Sequence, residues 1–168
     1  MEIVKITWER GCEGVEKKDL IQKLNWFYFL EKNQVELYTA QSQQVEDLYI
    51  KKALQRVAAV EQGHVENIAR KIRKLGGTPS AIGEKIAPLT GSTAGYITGQ
   101  AGLIALLEAN IKLEEKAMKD YKDFLLRVGK DEELFNILWD HLIDEDLHTA
   151  WFANKLAELK AQNAQLKR

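Results

Sequence analysis

Two short stretches constrain this chain more than anything else in it. Glu61-Gln62-Gly63-His64 and Glu145-Asp146-Leu147-His148 each put a carboxylate and an imidazole three residues apart, and no other Glu is followed by His at that distance. In an α-helix this spacing places both side chains on one face, one turn apart. Only three His are present, so two of them serve this pattern. Each pair is preceded by a Glu with a Tyr seven residues later, Glu31 with Tyr38 and Glu114 with Tyr121, and no other Glu has a Tyr at that offset. The first Glu lies 30 residues before the second in one half and 31 in the other, which reads as a duplicated helical hairpin.

A hairpin of antiparallel helices brings two residues to the same height only when the turn falls midway between them. The midpoint of Glu31 and Glu61 is residue 46, inside a polar stretch, and that of Glu114 and Glu145 falls between Gly129 and Lys130. Both hairpins meet this condition. All four Glu and both His are therefore expected at one level of a bundle interior.

The rest of the chain supplies the helices. Asp19 is the expected N-cap of the first, with Leu24, Phe27, Tyr28, Val35 and Tyr38 on its apolar stripe, ending near Ala40 or Ser42. After a polar turn over Gln41 to Glu46, the second runs from about Asp47 to Gly76-Gly77-Thr78-Pro79, with Leu54, Val57, Ile68, Ile72 and Leu75 inward. Residues 76 to about 96 hold both prolines and read as a connection. A helix of about thirty residues spans roughly 45 Å, and some twenty extended residues can cover roughly 65 Å, so this connection can return along the whole bundle. The third helix starts near Thr98, carries Leu103, Leu106, Leu107, Ala117, Tyr121, Leu125 and Val128, and stops at Gly129. Asp131 with Glu132 and Glu133 starts the fourth, whose stripe is Leu134, Leu138, His141, Glu145, His148, Phe152, Leu156 and Leu159. The expectation is an all-α four-helix bundle over residues 19–160, an irregular arm over 1–18 and a fraying polar tail over 161–168. Trp26, Trp139 and Trp151 are read as packing.

Charge and cysteine content remove whole classes of function. A formal net charge of -1 leaves no electrostatic footprint for nucleic acid. One cysteine, Cys12, supplies neither an internal disulfide nor the four thiolates of a rubredoxin-type or iron–sulfur site within this chain. Residues 1–5 lack the pattern of a secretory signal, so a cytoplasmic location is expected. The run from Tyr96 to Leu107 is too short to span a bilayer.

Four carboxylates on apolar stripes would each cost several kcal/mol if buried ionised and unpaired, and divalent cations would supply the missing charge. A Glu from each of two helices and Glu-x-x-His from each of the other two is the ligand set of a dinuclear carboxylate centre. Glu61 and Glu145 are suited to bridging two metals, Glu31 and Glu114 to terminal positions, and His64 and His148 to capping one metal each. Glu36, Glu108 and Glu115 are the alternative acids on the first and third helices. Tyr38 and Tyr121 are core aromatics whose hydroxyls are placed to bond a ligand carboxylate, and Asp144 is placed to orient a His from the other half. His141 reads as a satisfied buried imidazole rather than a third nitrogen ligand.

These motifs, Glu31 with Tyr38, Glu61-Gln62-Gly63-His64, Glu114 with Tyr121 and Asp144-Glu145-Asp146-Leu147-His148, resemble those of the ferritin-like superfamily over residues 19–160, and within it the rubrerythrin-type branch. The resemblance implies two metal ions per chain, iron before manganese or zinc, reacting with peroxide or dioxygen. Rubrerythrins proper also carry a rubredoxin-like domain, which the single cysteine of this chain cannot build, so the resemblance implies a separate electron-donor protein and a homo-oligomer, a dimer being expected. Iron storage with ferroxidase chemistry is a second function of the same superfamily. A third is hydroxylation of an organic substrate, since Ala87-Pro88-Leu89 and Gly91, Gly95, Gly99 and Gly102 faintly resemble the demethoxyubiquinone hydroxylase family.

Overall fold

Among the described residues the regular structure is four helices: α1 (Lys17–Gln44), α2 (Leu48–Lys74), α3 (Gly99–Leu125) and α4 (Glu132–Leu166). The computed structural model describes residues 17–80, 99–128 and 131–166. Helix α1 pairs with α2 and α3 with α4 as two hairpins, forming an all-α four-helix bundle.

Side-chain contacts give the direction of each helix. Tyr38 reaches Glu114 and Tyr121 reaches Glu31, so α1 and α3 run antiparallel. Glu61 meets His148 and Lys71 meets Asp131, so α2 and α4 are antiparallel as well. With α1 antiparallel to its hairpin partner α2, helices α2 and α3 share one direction. The end of α2 and the start of α3 therefore lie at opposite ends of the bundle; the residues between them, 81–98, including Ala87-Pro88-Leu89, Gly91 and Gly95, lie outside the described residues.

The helix ends follow from local chemistry. Asp47 caps α2 by accepting the Ile50 N–H at 2.9 Å, and Asp131 caps α4 by accepting the Leu134 N–H at 3.0 Å. Gly76 takes a left-handed φ of 76°, and the Gly76 and Gly77 amides donate back to the Arg73 and Ile72 carbonyls at 2.8 and 2.9 Å, the 5→2 and 6→1 bonds that close a helix. Lys71, buried near that end, is neutralised by Asp131 at 2.8 Å and Glu133 at 3.0 Å, which ties α2 to the start of α4.

Several boundaries differ from the sequence reading. Helix α1 is already formed at Lys17, so Asp19 lies in its first described turn rather than capping it. It continues to Gln44 because the polar run meant for a turn has partners within the helix and across the bundle: Ser42 bonds back to the Thr39 carbonyl at 2.8 Å, and Gln41 exchanges two bonds of 2.9 Å with Asn110. Helix α3 ends at Leu125, four residues before Gly129, and α4 runs on through Leu166, since Lys160 to Leu166 contains good helix formers and no Gly or Pro. On α1, Tyr28 and Val35 are half-buried, while Leu30, Gln34, Leu37 and Gln41 take the inner positions. Trp26 and Trp151 pack against the core, but Trp139 is 48% exposed and lies parallel to Phe135 on the outer face of α4.

The core is divided into two apolar clusters. Leu24, Phe27, Leu30, Ile68, Ile72, Tyr121, Phe124, Leu134 and Leu138 fill one, and Tyr38, Ile50, Leu54, Val57, Leu107, Phe152 and Leu159 fill the other. Each such side chain contributes on the order of 1.5–3 kcal/mol by leaving water. Between them lies a layer of buried acids and imidazoles that the apolar clusters hold out of solvent. No helix among the described residues is long and apolar enough to cross a membrane.

Candidate metal centre

Each helix delivers its polar residue to this middle layer at helical spacing. Helix α1 brings Glu31, α2 brings Glu61 and His64, α3 brings Glu114, and α4 brings Glu145 and His148. All four Glu are 0% exposed. Two overlapping groups form there, Glu31-Glu61-His64-Glu145 and Glu61-Glu114-Glu145-His148, and in each the donor atoms lie within 4.8 Å of one another. Glu61 and Glu145 belong to both groups, the position that bridging would require. The alternatives Glu36, Glu108 and Glu115 are exposed on the outer faces of α1 and α3, and Glu108 pairs with Lys160 at 2.8 Å.

The imidazoles face inward through Nδ1. His64 Nδ1 is 2.9 Å from Glu61, 3.5 Å from Glu31 and 3.6 Å from Glu145, and His148 Nδ1 is 3.0 Å from Glu61 and 3.8 Å from Glu114. These are charge contacts without hydrogen-bond alignment, and they leave Glu31 Oε2, Glu114 Oε2, both oxygens of Glu61 and Glu145, and both Nδ1 atoms without a hydrogen-bond partner. Buried orphans of this kind cost about 1–3 kcal/mol each, more when charged. Their convergence on one point fits cations: carboxylate oxygens and neutral imidazole nitrogens are donors suited to iron, manganese or zinc.

Electrostatics of the metal-free layer carry the same message. Burial, reinforced by the charges of Glu61 and Glu114, pushes Glu145 well above the usual carboxylate range. Burial also raises Glu31, to about 7, although His64 opposes the shift. Glu61 is held down to about 2, because His148 and His64 outweigh the effect of its burial. Burial works against a charged His64, yet Asp144, Glu145, Glu31 and Glu61 around it win and hold its pKa well above the ordinary value. His148, likewise opposed by burial, is raised to about 9 by Glu114 and Glu61. Without metal, both imidazoles are thus shifted toward their charged form and Glu31 and Glu145 toward their protonated form, which offsets the negative charge that four buried acids would otherwise concentrate.

A second ring of side chains steadies the layer. Tyr38 donates to Glu114 and Tyr121 donates to Glu31, so each tyrosine serves the Glu of the opposite hairpin rather than that of its own helix. Burial and the neighbouring carboxylates raise both phenols far above 10, which keeps them protonated donors. Asp144 lies 3.1 Å from His64 Nε2, across from α4 to α2, where it can accept that N–H and leave Nδ1 free for a cation. His141 stacks on His64 with ring centroids 3.9 Å apart. Burial and the His64 charge keep His141 neutral. The Tyr121 proton points to Glu31, so the tyrosine oxygen accepts from His141 Nδ1 at 3.1 Å, and His141 Nε2 in turn accepts from Asn67 at 3.3 Å.

Sequence reasoning passed over Gln34. It lies on the same inward stripe, 0% exposed, and neither amide atom has a partner among the described residues. Its position, three residues after Glu31 and four before Tyr38, was the available signal.

The fold has relatives among solved structures. A bacterioferritin from Desulfovibrio desulfuricans, whose structure reports a diiron site in different catalytic states, superposes with a TM-score of 0.71 at 23% identity, covering 86% of this chain and 82% of that one. The dodecameric thioferritin of Bacteroides fragilis, a bacterioferritin-related protein, superposes at 0.70 with 24% identity over 91% and 90%. No curated protein sequence matches. A family model, Rubrerythrin, matches residues 24–156, nearly the whole bundle and every residue of the buried layer, and the chain belongs to the rubrerythrin family, within the ferritin-like superfamily.

Proposed function

We propose that the buried layer binds two metal ions per chain, iron in the first place, and that the protein is an oxidoreductase acting on peroxide or dioxygen. The observation that carries this is the convergence of four fully buried carboxylates and two inward-facing imidazoles, of which six carboxylate oxygens and both Nδ1 atoms find no hydrogen bond among the described residues. Glu31, Glu61 and His64 would hold one ion and Glu114, Glu145 and His148 the other, with Glu61 and Glu145 shared. Two divalent irons would supply the two electrons that take one peroxide and two protons to two waters.

The chain's own residues account for the remaining tasks. Two apolar clusters keep bulk water from the layer, which strengthens every charge interaction inside it. Tyr38 and Tyr121 hold Glu114 and Glu31 by hydrogen bonds, and Asp144 orients His64. The neutral His141, held by Asn67, donates to Tyr121, which in turn donates to Glu31, so this chain of hydrogen bonds fixes the orientation of the Glu31 carboxylate. Reduction between turnovers would come from a separate electron-donor protein, in the cytoplasm.

The metal content of protein purified without added metal, set beside Glu61→Ala and Glu145→Ala, tests this. Near two equivalents of iron or manganese per chain, lost in both variants while their circular dichroism remains helical, is the expected result. Failure to bind metal even after iron reconstitution would overturn it. Many irons per chain inside a closed shell would instead favour storage, a reading supported by the bacterioferritin and the dodecameric thioferritin among the structural neighbours.

A further inference from the structure

One buried polar side chain takes no part in the scheme above. Gln34 is completely enclosed in α1, one turn beyond Glu31 and one turn before Tyr38, and both its carbonyl oxygen and its amide nitrogen lack partners among the described residues. A primary amide offers two donors and two acceptor lone pairs. Two turns further along the same stripe the fold gives such a group a partner at both its oxygen and its nitrogen, since Gln41 exchanges two hydrogen bonds with Asn110. Nothing comparable meets Gln34.

The internal duplication explains why. The offset of 83 residues that carries Glu31 onto Glu114 and Tyr38 onto Tyr121 carries Gln34 onto Ala117, which is also 0% exposed. The crossed tyrosine contacts set an antiparallel register that puts Gln34 and Ala117 at nearly the same height of α1 and α3. Where the two halves differ, an amide has a methyl group for its counterpart, and a methyl group forms no hydrogen bond. The amide is also uncharged, so it adds no negative charge to a layer that already holds four acids.

Resting on the metal-centre reading, we propose that Gln34 forms a subsite beside the centre for a small hydroxylic ligand, one that donates and accepts hydrogen bonds at once. Water occupies it at rest, and hydrogen peroxide takes its place as co-reactant. Dioxygen donates no hydrogen bond and leaves the Gln34 carbonyl unsatisfied, so the subsite makes Gln34 a specificity-determining residue that favours peroxide over dioxygen.

Two measurements test this, one of them independent of metal. In a crystal structure of the metal-free protein at about 1.5 Å, an ordered oxygen within hydrogen-bond distance of the Gln34 amide is expected, absent in Gln34→Leu. In ferrous-loaded protein, Gln34→Leu is expected to slow oxidation by hydrogen peroxide about tenfold while oxidation by dioxygen stays within about twofold, with Gln34→Asn in between. A role in packing alone would alter melting temperature and leave the ratio of the two rates at its wild-type value, and that result overturns the proposal. An amide with no ordered molecule on it overturns it too. If the wild type takes up no metal, the metal-centre reading fails, and the crystal structure decides the subsite by itself.

Discussion

Tyr38 and Glu114 stand 76 residues apart in the chain and share a buried hydrogen bond across the α1–α3 contact, matched by Tyr121 with Glu31 in the reverse sense. Each hairpin thus positions the carboxylate of the other, and neither hairpin alone holds a complete layer. Tyr38→Phe and Tyr121→Phe are expected to retain two metals per chain and to slow peroxide-driven oxidation of the ferrous protein by roughly tenfold. Tyr121→Phe has the larger effect because it also interrupts the link to His141. Stopped-flow rates equal to wild type in both variants would remove the tyrosines from the mechanism.

Asp144→Asn keeps the size of the side chain and removes its charge. His64 then keeps at most a neutral amide oxygen in place of the charged acceptor at 3.1 Å that orients it, and metal affinity is expected to fall by about tenfold, with stoichiometry at saturation unchanged. Competition with a chromogenic chelator measures it. An affinity within twofold of wild type would mean Asp144 is a solvated helix acid.

Metal uptake is expected to release protons. In the metal-free layer His148 is raised to about 9, so it carries a proton at pH 7, and His64 and Glu145 are shifted in the same direction, toward their protonated forms. Ligation requires the proton to leave, so affinity rises as pH rises toward about 9 and weakens below it. Calorimetric titration with Mn²⁺ in buffers of different ionisation enthalpy reads the number released, at least one, from His148. A binding enthalpy that ignores the buffer would contradict this.

The Lys71 cluster makes a separate, metal-independent prediction. Lys71 and Lys74 hold Glu133 down to about 2, and Lys71 outweighs the burial of Asp131 to hold that carboxyl below its usual value. Groups depressed in the folded state stabilise it above their unfolded pKa of about 4 and lose that contribution as pH falls through the folded value. Lys71→Met should therefore melt at a lower temperature than wild type at pH 7, with the difference closing between about pH 4 and pH 2. A difference constant over that range would sink the assignment.

At the end of α2, Gly76→Ala places a side chain at a φ of 76° and is expected to cost about 1 kcal/mol. Gly77→Ala should cost more, about 1–3 kcal/mol, because its Cβ would lie 2.8 Å from Ile21 Cγ2 and 3.0 Å from Ile72 Cγ2, both close to stiff branch points. Urea midpoints measure both. A Gly77→Ala variant as stable as wild type would show that α1 can move aside.

Much of this protein was legible along the chain because helices turn periodicity into position. The Glu-x-x-His pairs, the Glu-to-Tyr offset and the midpoint of each hairpin are local quantities, and they were enough to bring Glu31, Glu61, His64, Glu114, Glu145 and His148 to one level and to make the fold a four-helix bundle. Asp47, Asp131 and Gly76 marked helix ends because capping acts within four residues.

What the tertiary structure decided depends on contacts between helices. Sequence spacing could not say that Tyr38 serves Glu114 rather than Glu31, since a side chain's partner across an interface depends on the register of two helices and not on its own. Gln34 and Gln41 look like surface residues until a neighbour is placed beside them; both are buried, one satisfied by Asn110 and one left open. The charge state of the buried layer was equally out of reach, because it depends on how completely two apolar clusters exclude water from six residues drawn from four helices.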